Sequence, residues 1–189
     1  MKHRVLDLLS TKGTRRETKM PDQVGSREVA LLSNGHYVVG SPNWDNGAIV
    51  DAGAATWGDG TTGIVGPVSA SNSLVGSTEG DRVGSSNPYG WALSNGSYVL
   101  PSPYWDNGAA VDAGAVTWGN GASGTAGPIS AENSVRGTAE NGGESMRWAY
   151  DSINWQLVVG RPADNIVTLF RPLALDYTVF LPVILKNAP

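Results

Sequence analysis

The chain has 189 residues, enough for one ordinary core or for a short array of repeats. Its 25 glycines and 11 prolines interrupt it too often for long helices, the lack of cysteine excludes disulfides and thiolate chemistry, and two histidines, His3 and His36, leave little material for an imidazole metal site. Residues 1–20 carry six of the 13 Lys and Arg residues, so the remainder holds seven basic and 15 acidic side chains, the wrong sign for a nucleic-acid partner.

The first predicted unit is the basic segment of residues 1–20. We interpret it as a charged, flexible N-terminal segment, and an arm that binds nucleic acid or a membrane is the alternative. No signal peptide is visible, because the segment lacks the apolar stretch that secretion requires.

An internal duplication dominates the rest of the chain. Residues 32–78 align with residues 93–139 without a gap, at an offset of 61, and 30 of the 47 aligned positions are identical. A third, decayed copy begins where residues 157–162 repeat the pattern of residues 37–42. Such a period indicates a supersecondary unit that buries one face against the next copy. The predicted units are repeat 1 over residues 21–80, repeat 2 over 81–141, a divergent partial repeat 3 over 142–172, and a C-terminal strand or tail over 173–189.

Each repeat is predicted to be all-β, with three or four short antiparallel strands. In repeat 1 we expect strands over residues 29–33, 36–41, 51–57 and, with a weaker pattern, 61–69. Asn34-Gly35 predicts a two-residue type I′ hairpin, because both residues tolerate a positive φ. Pro42 ends the second strand, since it lacks a backbone N–H. Repeat 2 is expected to follow the same pattern, with a hairpin at Asn95-Gly96.

Repeat 3 keeps this rhythm, with strands expected over residues 146–152, 156–160 and 166–170. Residues 177–186 are expected to add a closing strand or to form a separate tail, and their apolar run is too short to cross a membrane. The pattern predicts antiparallel, propeller-like blades. Since closed propellers use at least about four blades, two to three blades predict an incomplete propeller. It would continue in further repeats of a longer protein, or self-associate through residues 21–41.

Several segments of repeats 1 and 2 carry a family resemblance. Residues 80–85 (GDRVGS), 92–99 (ALSNGSYV) and 112–116 (DAGAV) are similar to the FG-GAP repeat of integrin-type β-propellers, and residues 37–42 (YVVGSP) match its VVGAP strand. The whole pattern more closely resembles uncharacterised repeats of bacterial haemagglutinin-like or adhesin-like surface proteins. The resemblance implies a binding role and a location outside the cell or at its surface.

The resemblance does not carry calcium binding to this chain. The calcium loop of the FG-GAP family places acidic residues at alternate positions, because Ca²⁺ takes about six to eight oxygen ligands. This chain has only Leu-Ser-Asn-Gly there, at residues 32–35 and 93–96. We therefore expect no metal and no other cofactor.

Trp57 and Trp118 lie on the most regular predicted strand, each between Thr and Gly. They can pack between sheets as core aromatics, each burying ~150–250 Å², or form a platform on which a sugar stacks. The regular strand pattern favours the core role, and we expect both indoles to be buried and equivalent.

The repeated Trp-Asp-Asn-Gly loops hold the candidate binding residues. Each loop follows a proline that ends a strand, and binding often concentrates in such loops. An indole beside a carboxylate and an amide suits a carbohydrate. The alternative is a structural turn, in which Asp and Asn bond nearby backbone and Trp fills a gap in the blade. Exposure of the indoles distinguishes the two. The candidates are Trp44, Asp45, Asn46, Trp105, Asp106 and Asn107.

Catalysis is a remote alternative. Asp51 and Asp112 are carboxylates that a glycoside hydrolase could use as acid and base. However, repeat-related residues share one setting, whereas an acid and a base need different pKa values. We therefore expect a non-enzymatic β-repeat structural or interaction module of a bacterial, adhesin-like surface protein. A carbohydrate-binding module is the main alternative, and whether the partner is a protein or a glycan stays open.

Overall fold

The computed structural model describes residues 22–27, 29–86 and 91–172, and the backbone of residues 184–186. The predicted N-terminal segment 1–20, and the tail over 173–189 apart from 184–186, lie outside the described residues. In the described part the chain forms strands and only two single-turn 3-10 helices, Gly143–Ser145 and Pro162–Asp164, neither of them long or apolar enough to cross a membrane. The all-β prediction is confirmed.

Repeat 1 forms one antiparallel sheet whose strands pair in chain order. They are β1 (Val29–Leu31), β2 (Tyr37–Ser41), β3 (Ala54–Gly58) and β4 (Ser73–Val75). The prediction of a weaker strand over residues 61–69 is wrong. Gly63 and Gly66 have positive φ there, so the chain turns, and the sheet is completed only when Ser73 pairs with Thr56.

Repeats 2 and 3 vary this plan, and in repeat 2 the first predicted strand is reduced to a bridge between Ala92 and Tyr98. Repeat 2 contains β5 (Tyr98–Ser102), β6 (Ala115–Gly119), β7 (Gly127–Pro128) and β8 (Ser134–Arg136), and repeat 3 contains β9 (Arg147–Asp151), β10 (Gln156–Arg161), β11 (Ile166–Phe170) and β12 (Ile184–Lys186). The three strands predicted in repeat 3 are present, and β12 pairs with β11 as a closing strand. β7 instead pairs in parallel with β4 of repeat 1, so it joins the two repeats.

The hairpins of repeats 1 and 2 are not the predicted type I′ turns. In repeat 1 the Leu32 N–H donates to His36 O at 2.8 Å, so the loop has three residues instead of two. Only Gly35 has a positive φ, +88°, as in a type I turn followed by a left-handed glycine. The prediction failed because Asn34 contributes through its side chain: its Oδ1 accepts the His36 N–H at 3.2 Å.

Neighbouring repeats share their hydrophobic cores. The largest buried cluster combines Val38 and Leu74 of repeat 1 with Tyr98 and Leu100 of repeat 2. A second cluster combines side chains of repeat 2 with Leu157 and others of repeat 3. Burial of apolar surface therefore couples each repeat to the next one along the chain, as in other repeat arrays.

Trp57 and Trp118 occupy equivalent positions but are not equally buried. Trp118 is 9% exposed, and its ring centroid lies 5.6 Å from that of Tyr150 in repeat 3. Trp57 is half-buried, and its Nε1–H donates to Gly121 O of repeat 2 at 3.0 Å. Each indole thus contacts the following repeat, and the predicted burial holds for Trp118 but not for Trp57.

We expect Trp118→Ala to lower the free energy of unfolding by about 3–5 kcal/mol, the range for truncating a buried aromatic side chain. Trp57→Ala should lower the free energy of unfolding by a smaller amount, because part of the Trp57 ring already contacts water. Urea denaturation of both variants measures the difference. Equal losses, or a loss below about 1 kcal/mol for Trp118→Ala, would contradict this account.

Candidate functional site

The indoles of the two Trp-Asp-Asn-Gly loops are buried. Trp44 is 8% exposed and packs with Ala54 and Val75. Trp105 is 4% exposed and belongs to the cluster shared by repeats 1 and 2. Neither indole presents an open face on which a sugar ring could stack.

The loop aspartates shape the entry to the next strand. Asp45 Oδ1 accepts the Asp51 N–H, and Asp106 Oδ1 accepts the Asp112 N–H, both at 2.8 Å. Asp51 and Asp112 each have a φ of 50°, a left-handed conformation that is uncommon outside glycine. The loop carboxylates thus help to hold a tight turn, and they do so identically in both repeats.

The loop asparagines tie the loops to the following strand. Asn46 Nδ2 donates to Gly76 O at 3.2 Å, and Asn107 Nδ2 donates to Gly137 O at 2.8 Å. The six candidate residues are therefore assembled as two copies of one hydrogen-bonded turn. The structure does not bring the two copies together into a single site.

Sequence analysis missed the structural role of Asp81, which is fully buried. Its carboxylate accepts the Ser77 N–H at 2.7 Å and both the N–H and the O–H of Thr78 at 2.9 Å. It also accepts the Asp106 N–H of repeat 2 at 3.0 Å. Asp81 therefore links the last loop of repeat 1 to the Trp-Asp-Asn-Gly loop of repeat 2. The available signal was a carboxylate in a short motif of glycine and valine, GDRVGS.

Repeat 3 replaces this link with a carboxylate from its own shortened loop. Asp164 accepts the Thr138 N–H at 3.2 Å and the Thr138 O–H at 2.8 Å, both from repeat 2. It also pairs with Arg161 at 2.9 Å, and Arg161 in turn donates to Arg136 O at 2.7 Å. An aspartate thus joins consecutive repeats at both junctions.

Asp112 lies among other carboxylates. Its pKa is raised by burial and by the neighbouring carboxylates of Asp106, Glu144 and Asp81. Asp51 and Asp112 share one conformation and one kind of hydrogen-bond partner. Among the described residues, no group of three or more His, Cys, Asp or Glu side chains is placed to hold a metal ion.

A family model described as a repeat of unknown function (DUF5650) matches residues 31–85 and 92–143. The two matches cover more than half of the chain and contain both duplicated segments, residues 32–78 and 93–139, in full. No curated protein and no solved structure matches the chain significantly. The comparisons therefore support the repeat itself and give no support to the FG-GAP and adhesin-like resemblances.

Proposed function

Because the chain belongs to the family of DUF5650 repeats, we propose that it is a non-enzymatic structural and interaction module. In this proposal, blade-like β-repeats form part of a bacterial, adhesin-like surface protein. One observation carries the structural role: the carboxylates and amides of both Trp-Asp-Asn-Gly loops hydrogen-bond the backbone of their own repeats. The location at the cell surface is supported by the sequence resemblance alone.

The burial of the loop indoles supports a scaffold over a carbohydrate-binding module. A sugar platform needs an exposed aromatic face, because stacking requires access to the ring. Trp44 and Trp105 are instead 8% and 4% exposed, and the loop amides donate to backbone carbonyls. A partner would therefore meet the outer loops and the ends of the array.

The symmetry of the two loops supports a non-enzymatic role. Asp51 and Asp112 sit in matching turns of successive repeats, and the backbone N–H of each donates to the loop aspartate of its own repeat. Such recurrence is what a structural requirement of every repeat produces.

A glycan array probed with the full chain tests this proposal. We expect no specific saccharide signal, because the indole faces are covered. The double variant Trp44→Phe/Trp105→Phe is the control, since phenylalanine keeps most of the core packing and removes the indoles. A specific saccharide signal that this variant loses, with its thermal unfolding unchanged, would favour the carbohydrate-binding module instead.

A further inference from the structure

Residues 22–26 repeat a motif whose second copy forms the joint between repeats 1 and 2. Their sequence, Asp-Gln-Val-Gly-Ser, matches Asp-Arg-Val-Gly-Ser at residues 81–85 in four of five positions. The glycine has a positive φ in both copies, +71° at Gly25 and +86° at Gly84. We name residues 22–26 and 81–85 the first and second entry segments.

The second entry segment is buried against repeat 1. Val83 is fully buried, its N–H donates to Ala52 O at 3.1 Å, and it forms a parallel bridge with Gly53. A Cβ on Gly40 would lie 2.6 Å from Gly84 O, so the two glycine backbones are in direct contact. We name the surface of a repeat that receives the next entry segment its exit face.

The first entry segment has the same motif but is exposed. Val24 is 56% exposed, whereas Val83 is completely covered. A Cβ on Gly25 would meet only Val39 of its own repeat, at 3.6 Å. Among the described residues, no side chain covers Val24 as repeat 1 covers Val83. The first entry segment therefore has the sequence of a docking element without a docked neighbour.

A second element of repeat 1 repeats the same situation. In repeat 2, β7 adds in parallel to β4 of the preceding repeat. The equivalent residues of repeat 1, Gly66 and Pro67, are exposed, and neighbouring Val65 is 85% exposed. Repeat 1 thus offers a second element that, one repeat later, extends a neighbour's sheet.

Repeat 3 presents the complementary exit face. Gly160 is the equivalent of Gly40 within the repeated residues 37–42 and 157–162. Gly40 is buried by the second entry segment, whereas a Cβ on Gly160 would meet only Arg147 O at 3.9 Å in the described part of the chain. Among the described residues, nothing covers in repeat 3 the surface on which an entry segment rests in repeat 1.

The hairpin of repeat 3 also exposes apolar side chains. In repeat 1 the equivalent hairpin contacts the next repeat, where Ser33 Oγ donates to Leu93 O at 3.0 Å. In repeat 3, Ile153 is 86% exposed and Trp155 is 60% exposed.

We propose that copies of this chain associate head to tail, with the first entry segment of one copy docked on the exit face of repeat 3 in a second copy. Val24 becomes buried in this contact as Val83 is within the chain, and Gly25 rests on Gly160. Such a contact joins two different faces, so it closes into a ring or extends further, according to the rotation between copies. The proposal goes beyond the proposed function, because it holds whatever the assembled repeats bind.

Sedimentation velocity of the full chain, from low to high micromolar concentration, tests the association. We expect a mass above the 19.7 kDa of one chain. Val24→Asp and Gly160→Val should each be monomeric with unchanged thermal unfolding of the monomer, because Val24 is exposed and Gly160 has open space for a side chain. Val111→Asp is the matched control. Val111 is 47% exposed in an internal loop, so this variant should associate as the wild type does.

Mixing the two monomeric variants tests the head-to-tail geometry. Val24→Asp keeps an intact exit face and Gly160→Val keeps an intact entry segment, so the mixture should form a one-to-one dimer. A wild type that stays monomeric at high micromolar concentration would overturn the proposal. Association of either single variant as strong as that of the wild type would also overturn it, because association would then use another surface. A mixture of the two variants that remains monomeric would overturn the head-to-tail geometry.

Discussion

Asp81→Ala is expected to lower the free energy of unfolding by about 3 kcal/mol or more. The substitution removes an acceptor of four hydrogen bonds and leaves the N–H groups of Ser77, Thr78 and Asp106 without it. Hydrogen bonds to charged groups contribute about 1.5–3 kcal/mol each, and a buried donor left unsatisfied costs a further desolvation penalty. Asp81 is fully buried, so water cannot easily replace the carboxylate.

Urea denaturation followed by tryptophan fluorescence measures this loss. Asp81→Asn should cost less than Asp81→Ala, because the amide keeps one acceptor oxygen. Glu79→Ala is the control from the same loop. Glu79 is exposed, and surface substitutions usually change stability by about 0.5 kcal/mol or less. Similar losses at Asp81 and Glu79 would show that the buried carboxylate does not hold the joint.

The second large effect is expected at Gly53, where repeats 1 and 2 approach each other through their backbones. Gly53 has a φ of +74°, and a Cβ there would collide with the backbone N, O and C atoms of Arg82 and Val83. Backbone atoms held in a parallel bridge cannot move aside as a flexible side chain can. We therefore expect Gly53→Ala to lower the free energy of unfolding by about 3 kcal/mol or more, with separation of the repeats.

Gly47→Ala separates the effect of crowding from the effect of the backbone conformation. Gly47 has a similar φ of +66°, but nothing lies within 4 Å of the position of its Cβ. In this control the free energy of unfolding should fall only by the cost of placing alanine in a left-handed conformation, about 1–2 kcal/mol. Equal losses in the two variants, measured by urea denaturation, would remove the close approach as a cause.

Both joint variants should also change the shape of the unfolding transition. Neighbouring repeats unfold together because the interface between them stabilises both. When Asp81 or Gly53 is replaced, repeat 1 should unfold before repeats 2 and 3, which gives a broader or two-step transition. Trp118→Ala weakens the contact between repeats 2 and 3. In this variant we expect repeat 3 to unfold at a lower urea concentration than repeats 1 and 2.

Much of the fold followed from local sequence. β11 has the predicted bounds of residues 166–170, and the third strand of repeat 1 was found within a few residues. Alternating apolar residues between glycines and prolines carry this information locally. The fourth strand of repeat 1 was misplaced, because β4 has only three residues and is defined by its pairing with β3. So short a segment has too little sequence pattern of its own.

The candidate site shows what local sequence leaves open. The recurrence of the loops favoured a structural turn over a binding loop, but only the packing of Trp44 and Trp105 against neighbouring residues decided that both indoles are buried. The sequence could not identify Asp81 as a buried link between repeats. Three of its hydrogen bonds are to Ser77 and Thr78 of its own loop. The fourth, from the Asp106 N–H, crosses to repeat 2. That partner lies 25 residues away in the chain.

The two entry segments make the same point with nearly identical sequences. The sequence alone determined the repeat and most of its strands, because local patterns of apolar residues and turn residues carry that information. Only the tertiary structure decided that Val83 is buried and Val24 is exposed. Burial depends on whether another repeat supplies carbonyl acceptors and a glycine surface, and five residues carry no information about that neighbour.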